Sequence, residues 1–364
     1  MNQIQDFLCL PPDTPQKIIQ ERLVLIHKET DLETVMDCLF EWELKAGYIT
    51  KQKLEDNVRL SFFDESLNIN FRLQVNVARS NYSPVPADRK NLPKLHCLIC
   101  KENLGRPGKE NLRIYEYPID RKKRMFFLQL TPFPLFSHHF VLIQSMPRPQ
   151  LINHESISDL FYFLEDAPNY TLCANSDVEW AGSSILEHLH YQIFKGLETP
   201  VMEAGIKPGY DLTLKSCNIN LLNYPIAVIK IRGREAQPVK TIGSAITEIW
   251  KSWDPGKNTV NLSLHRINSL YHFYIFLRNP AFRTPERLRR IKSEGVGIIE
   301  ASGEGIYPVP TGPDAEELWN EIRGNGLNVI KDIIDGNNPV KENELWKIMK
   351  IYEELETKIK QGLV

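Results

Sequence analysis

The chain has 364 residues, 42% of them apolar and 25% charged, with a formal net charge of −2. That balance suits a globular chain of about two domains, or one large domain built from two related halves. It excludes a global basic field for nucleic acid or anionic membrane, and no apolar run approaches the roughly 18 residues of a membrane span.

The opening stretch, MNQIQDFLCLPPDTPQ, lacks a basic start followed by an apolar core, so no secretory signal is expected. The cysteines, Cys9, Cys38, Cys97, Cys100, Cys173 and Cys217, are too scattered for a disulfide framework, and a reduced, cytoplasmic setting is the expectation. Apolar residues at helical spacing in KIIQERLVLI and LETVMDCLFEWEL predict two helices within 15–46. From Val58 the period becomes two, and RLSFF and LNINFRLQVNVAR read as half-buried strands. SNYSPVPADRKNLPK, rich in proline and charge, reads as a surface loop.

Strands are expected next at LRIYEYPI, RMFFLQLTP and HFVLIQSM, followed by a helix, SISDLFYFLEDA, capped by its serine. YTLCANS and HLHYQIFKG read as strands separated by a bend at Ala181-Gly182. The second half predicts strands at PIAVIKIRG, TVNLSLHRI, LYHFYIFL and GVGIIEAS, a helix near 240–252, and a helical tail over 313–363. The mixture predicts an α+β protein with mainly antiparallel sheet.

Chemistry concentrates in His188-Leu189-His190-Tyr191-Gln192. Alternate residues of a strand share a face, so His188, His190 and Gln192 are expected to line up as a polar stripe. The small-residue turn Ala181-Gly182-Ser183-Ser184 before it can bring backbone N–H groups close to a phosphate. The competing reading is a solvated strand edge carrying chance histidines. A second cluster, Cys97-Leu98-Ile99-Cys100, is half of a tetrahedral metal site, with His138, His139 and His188 as candidates for the rest. Two unligated cysteines near a loop are the alternative. His27, His265 and His272 are read as packed or strand residues without chemistry, and KKR at 122–124 and RLRRIK at 287–292 as solvated faces.

The segment NSDVEWAGSSILEHLHYQIF resembles the active-site segment of the two-lobed histidine-triad (HIT-like) transferases. These include galactose-1-phosphate uridylyltransferases, diadenosine tetraphosphate phosphorylases and GDP-hexose phosphorylases. Three islands agree in order: QVNVAR at 74–79, TPFPLFSHHFVLI at 131–143 and IEASG at 299–303. Two positions depart. Leu189 stands where the uridylyltransferases have proline, and Glu187 where the GDP-hexose phosphorylases have asparagine.

The resemblance implies two HIT-like α+β lobes, at 58–197 and 198–312, with N-terminal helices over 1–57 and C-terminal helices over 313–364. It also implies that His190 attacks the α-phosphorus of a nucleoside diphosphate sugar or dinucleotide, and that a phosphate-bearing acceptor then takes the nucleotide. His188 would stand beside the nucleophile. Gln192 would donate its amide to the phosphate, which favours transfer over hydrolysis because an amide activates water poorly. Arg72, Asn76, Arg79, Ser183, Ser184 and Glu300 would bind substrate. Cys97, Cys100, His139 and His188 would hold a structural zinc. Superfamily members often pair, so a homodimer is an expectation, whereas nucleic acid and membrane are not expected partners. Besides a nucleotide-sugar enzyme, two readings stay open: a dinucleoside polyphosphate phosphorylase, and a binding or scaffold protein that has lost turnover.

Overall fold

The structure is a computed structural model that describes residues 2–77, 97–120, 124–183 and 185–362. The N-terminal helices are α1 (Asn2–Leu8), α2 (Gln16–Glu29), α3 (Leu32–Ala46) and α4 (Lys51–Glu55). Asp31 begins α3 by accepting from the Thr34 N–H at 2.8 Å, and Gly47 ends it in the left-handed region. Two strands follow, β1 (Val58–Asp64) and β2 (Ile69–Val75), paired antiparallel.

The next elements are β3 (Tyr115–Ile119), β4 (Arg124–Leu130), β5 (His139–Gln144), α5 (His154–Asp166), β6 (Tyr170–Ala174) and β7 (His190–Lys195). The second half contributes β8 (Ile206–Leu214), β9 (Cys217–Leu222), β10 (Val228–Gly233), α6 (Ala236–Trp253), β11 (Thr259–Ile267) and β12 (Leu270–Arg278). A short α7 (Ile298–Ala301) leads into β13 (Glu304–Tyr307), and α8 (Ala315–Gly324), α9 (Gly326–Gly336) and α10 (Trp346–Lys360) close the chain.

Strands β3 to β12 form one ten-stranded sheet in the order β3-β4-β5-β7-β6-β11-β12-β10-β9-β8. Read inward from either edge, the order is the same: each half runs through its first three strands, then its fifth, then its fourth. The halves meet where β6 pairs antiparallel with β11 through Cys173 and Ser263. The expected mainly antiparallel α+β architecture is therefore present, with an internal duplication written in the strand order. A smaller sheet, β1-β2-β13, crosses between the ends of the chain, because β13 pairs parallel to β2.

One face of the large sheet is the main core. Leu142, Leu172, Ile193, Leu262, Phe273 and Ile229 point into it, beneath α5 and α6. The other face is covered near the seam by the small sheet, α7 and α9, through Phe194, Tyr274, Phe276, Phe71 and Ile330. The catalytic candidates lie on this second face. Among the described residues no helix is long and apolar enough to cross a membrane.

Several local expectations are corrected. The cap of α5 is Asn153, whose side chain accepts from the Ser156 N–H while the Ser156 hydroxyl reciprocates, so Ser156 is the third helical residue of a capping box. GVGIIEAS is not a strand. It contains α7, nucleated where the Glu300 carboxylate accepts from the Gly297 N–H at 2.7 Å. Strands β8, β9 and β13 and helices α1 and α4 were not expected. The loop at 80–94 and part of the KKR run lie outside the described residues.

Candidate active site

β7 lies between β5 and β6, with His190 opposite Ile143, Gln192 opposite Val141 and also Cys173, and Phe194 opposite His139. His190 and Gln192 therefore share the face turned away from the helices. His188 does not continue the stripe. It sits in a bend before β7, and its ring turns toward the cysteines.

His190 is buried and its orientation is fixed from two directions. Its Nδ1 lies 2.8 Å from the His188 carbonyl oxygen, a contact only an N–H can make, so Nε2 carries the lone pair. Its backbone N–H donates to Gln150 Oε1 at 3.0 Å, and the Gln150 amide in turn donates to the Asn175 carbonyl. Burial lowers the imidazole pKa below its ordinary value, with smaller opposing pulls from the His188 carbonyl and Glu187. The ring is thereby neutral at physiological pH, with the Nε2 lone pair unprotonated. Glu187 itself is exposed, so its carboxylate is solvated rather than enclosed beside the imidazole.

Cys97, Cys100 and His188 bring their donor atoms together in one buried cluster. His188 Nδ1 lies 3.1 Å from Cys97 Sγ and 3.4 Å from Cys100 Sγ. Its Nε2 is 2.6 Å from the Gln144 carbonyl oxygen, which requires the proton there and aims the Nδ1 lone pair at the sulfurs. The two sulfurs also lie at disulfide distance from one another. A disulfide has no proton to offer Nδ1, whereas a metal ion or a reduced thiol satisfies it, and the donor set suits zinc. Residues 97–104 seat this cluster on the sheet by packing Ile99 and Leu104 against Ile114, Phe127, Val141 and Ile143.

His139 does not join this group. It begins β5, whereas Gln144, which holds His188, ends it, and a strand of that length separates the two by roughly 16 Å. His139 instead stacks on Phe194 with ring centroids 4.2 Å apart, and Leu135 donates to its Nδ1. Burial pushes its pKa down to about 3, against a smaller pull from the Gln192 side chain. It packs beside Gln192, apart from the group formed by Cys97, Cys100 and His188. His138 stacks on Phe40 and faces Asp37.

A cavity of about 550 Å³ opens beside Gln192, lined by Asn175, Ser183, Lys292 and Glu300 among others. It is roofed by the segment 292–306 from the far half of the chain. Gly182 (φ +111) makes that approach possible, since a Cβ there would lie 2.5 Å from the Val296 carbonyl oxygen. Asn175 Oδ1 accepts from the Ile298 N–H at 2.9 Å and fixes the same junction. A smaller adjoining cavity of about 150 Å³ shares Lys292 and is lined by Asn76.

Of the residues expected to bind substrate, Ser183 and Glu300 line the larger cavity and Asn76 the smaller, while Arg79 and Ser184 lie outside the described residues. Ser183 Oγ donates to the Ile185 carbonyl, which leaves its lone pairs for a ligand. Arg72 does not line either cavity: its Nε donates to Glu304 at 2.6 Å and its terminal nitrogen bonds the Glu198 carbonyl, so its guanidinium ties β2 to β13. Among the described residues, the cation that faces the cavity is Lys292, buried and 2.7 Å from Glu300 Oε1. The sequence run RLRRIK held this residue but gave no reason to separate it from its neighbours.

A family model described as a domain of unknown function, DUF4922, matches residues 39–195. The galactose-1-phosphate uridylyltransferase of Caldanaerobacter subterraneus is 25% identical across 88% of this chain and 68% of its own length. That of Bacillus subtilis is 25% identical across 83% and 63%. The chain thus spans about two thirds of the length of these relatives. Yeast Ap4A phosphorylase Apa2 in complex with Ap4A superposes with a TM-score of 0.55 at 14% identity, over 84% of this chain and 97% of that one, which is a likeness of fold.

Proposed function

Because the chain is a relative of the two-lobed histidine-triad transferases and phosphorylases, we propose that it is a nucleotidyltransferase or phosphorylase acting through His190 on a nucleoside diphosphate sugar. The observation that carries this reading is the bond from His190 Nδ1 to the His188 carbonyl, which leaves Nε2 unprotonated on the face that also presents Gln192. In the first step the Nε2 lone pair attacks the α-phosphorus. The bond from that phosphorus to the bridging oxygen breaks, and hexose 1-phosphate departs with the electron pair. In the second step an oxygen of a phosphate-bearing acceptor attacks the same phosphorus, and the P–N bond breaks to restore Nε2.

Gln192 donates its amide to the non-bridging oxygens, and Lys292 supplies positive charge from across the cavity. Glu300 holds Lys292 in place. Zinc bound by Cys97, Cys100 and His188 would supply rigidity, not reaction chemistry: it would fix the bend whose carbonyl orients His190. The division into lobes at 197/198 belongs to this reading, with β13 reaching back across it to β2. The Ap4A phosphorylase fold supports a second reading, in which the donor is a dinucleoside polyphosphate and the same histidine takes the nucleotide.

The test is intact-protein mass after brief incubation with GDP-, UDP- and ADP-sugars and diadenosine tetraphosphate, without acceptor. One acid-labile nucleotide adduct, absent from His190→Ala, is expected, and its mass names the base. Adding inorganic phosphate or a hexose phosphate then identifies the acceptor by which one discharges the adduct. Folded, metal-replete protein that forms no adduct with any donor would sink the proposal in favour of a binding protein.

A further inference from the structure

The second half of the sheet carries a cluster that the proposed reaction does not use. β5 and β10 are both six residues long and hold the same place in their halves. The third and fifth residues of β5, Val141 and Ile143, pair with Gln192 and His190. The third and fifth of β10, Lys230 and Arg232, pair with Tyr274 and His272. His272 therefore stands where His190 stands in the first half. Two cations flank it where the first half has two aliphatic residues.

A row of cross-strand partners runs over one face, Asn218–Arg232–His272–His265, and beside it lies Asn220–Lys230–Tyr274. His265 is only 5% exposed and stacks on His272 with centroids 5.1 Å apart and an interplanar angle of 12°. Neither of its ring nitrogens has a hydrogen-bond partner. Leaving buried polar atoms unmatched is costly, and a native structure normally supplies a partner.

Charge points the same way. Among the described residues neither Lys230 nor Arg232 meets a carboxylate. Lys230 lies 5.1 Å over the Tyr274 ring, and burial followed by the neighbouring Arg232 lowers its pKa. His272 is lowered by burial and then by Lys230 and Arg232, and His265 by burial and then by His272 and Lys230. Every group acting on these residues repels a proton. Lys230 is half-buried and Arg232 exposed, two like charges without a counter-charge among the described residues; they favour a bound anion, and donors on four neighbouring strands suit several oxygens better than one monatomic ion.

We propose that this face is a second anion site, binding a phosphoryl oxyanion between Lys230 and Arg232, with ring N–H groups of His272 and His265 donating to its oxygens. Free phosphate and the terminal phosphate of a small ester share this chemistry. The site does not depend on the reading of His190.

The experiment is a titration of the full chain with inorganic phosphate at constant ionic strength, followed by imidazole resonances in NMR. Saturable movement of the His265 and His272 signals is expected. In Lys230→Gln/Arg232→Gln the apparent affinity at these signals should fall by at least about tenfold, equivalent to about 1.4 kcal/mol. That double variant should still form the His190 adduct at the parental rate. Signals that follow ionic strength rather than phosphate, or that respond equally in the double variant, would overturn the proposal. So would loss of the adduct in the double variant, since the two cations would then serve the first site.

Discussion

At the scale of single residues, the tightest point of the site is Gly182. Its φ of +111 is disfavoured for any L side chain, and a Cβ would meet the Val296 carbonyl at 2.5 Å, a backbone atom that cannot swing aside. Gly182→Ala must push the 295–300 segment outward, carrying Glu300 and with it Lys292 away from Gln192. The expected cost is about 1–3 kcal/mol of stability, together with weaker donor binding. Thermal unfolding and the donor dependence of adduct formation check this: an unchanged Tm with an unchanged KM would show that the junction is not closed in solution. The same contact explains what could be read from sequence. His190 and Gln192 declare themselves through alternation within five residues, and Cys97 and Cys100 through their spacing. Lys292 lies a hundred residues further on in a run of similar cations, and only the Gly182–Val296 approach selects it. Arg72 looked equally available on its strand, and its partner Glu304 belongs to a strand too short to recognise.

At the scale of elements, long alternating or amphipathic segments were legible and short or interrupted ones were not. β8 carries a Pro-Gly pair within IKPGYDLTL, both exposed, which shifts the phase of its alternation, and it is an edge strand with no fully buried residue, so its apolar pattern is faint. GVGIIEAS is a buried apolar run, and such a run has no period by which to tell strand from helix. Its helical character comes from the Glu300 cap. The strands that were legible also hold neutral histidines. His139 and His265 are both pushed by burial down to about 3, and His265 also by His272 and Lys230. These folded values lie below the unfolded value near 6.5, so between about pH 3 and 6.5 the unfolded chain binds more protons. Stability from these two residues is therefore present above pH 6.5 and lost as pH falls, by about 2 kcal/mol per residue between pH 7 and 5. Urea midpoints in phosphate-free buffer should fall over that interval. His265→Phe should flatten the fall while retaining the stack on His272, and an equally steep profile in that variant would rule out its share.

At the scale of the whole molecule, the two halves are not independent bodies joined by a linker. One main core runs beneath both, from Phe126 and Tyr191 to Ile219 and Ile231, and the β6–β11 pairing makes their sheets continuous. Arg278, at the end of β12 and 1% exposed, fastens this sheet to what surrounds it. Its guanidinium bonds the Asn261 side chain, the Val296 carbonyl at 2.7 Å and Asn337 Oδ1 at 3.2 Å. One residue thus links β11, the roof of the active-site cavity and the end of α9. Burial lowers its pKa to about 10, with Glu300 pulling it back up, so it remains charged at neutral pH. Arg278→Met keeps the volume and removes every one of those donors, leaving buried acceptors unmatched at a cost of about 3–5 kcal/mol. Because the core is shared, that loss should not release one half alone. Calorimetry should show a single transition for the parent, and for the variant a single transition at lower temperature. Two separated transitions in the variant would mean that the seam at β6–β11 does not carry cooperativity, and that the halves are coupled only through Arg278.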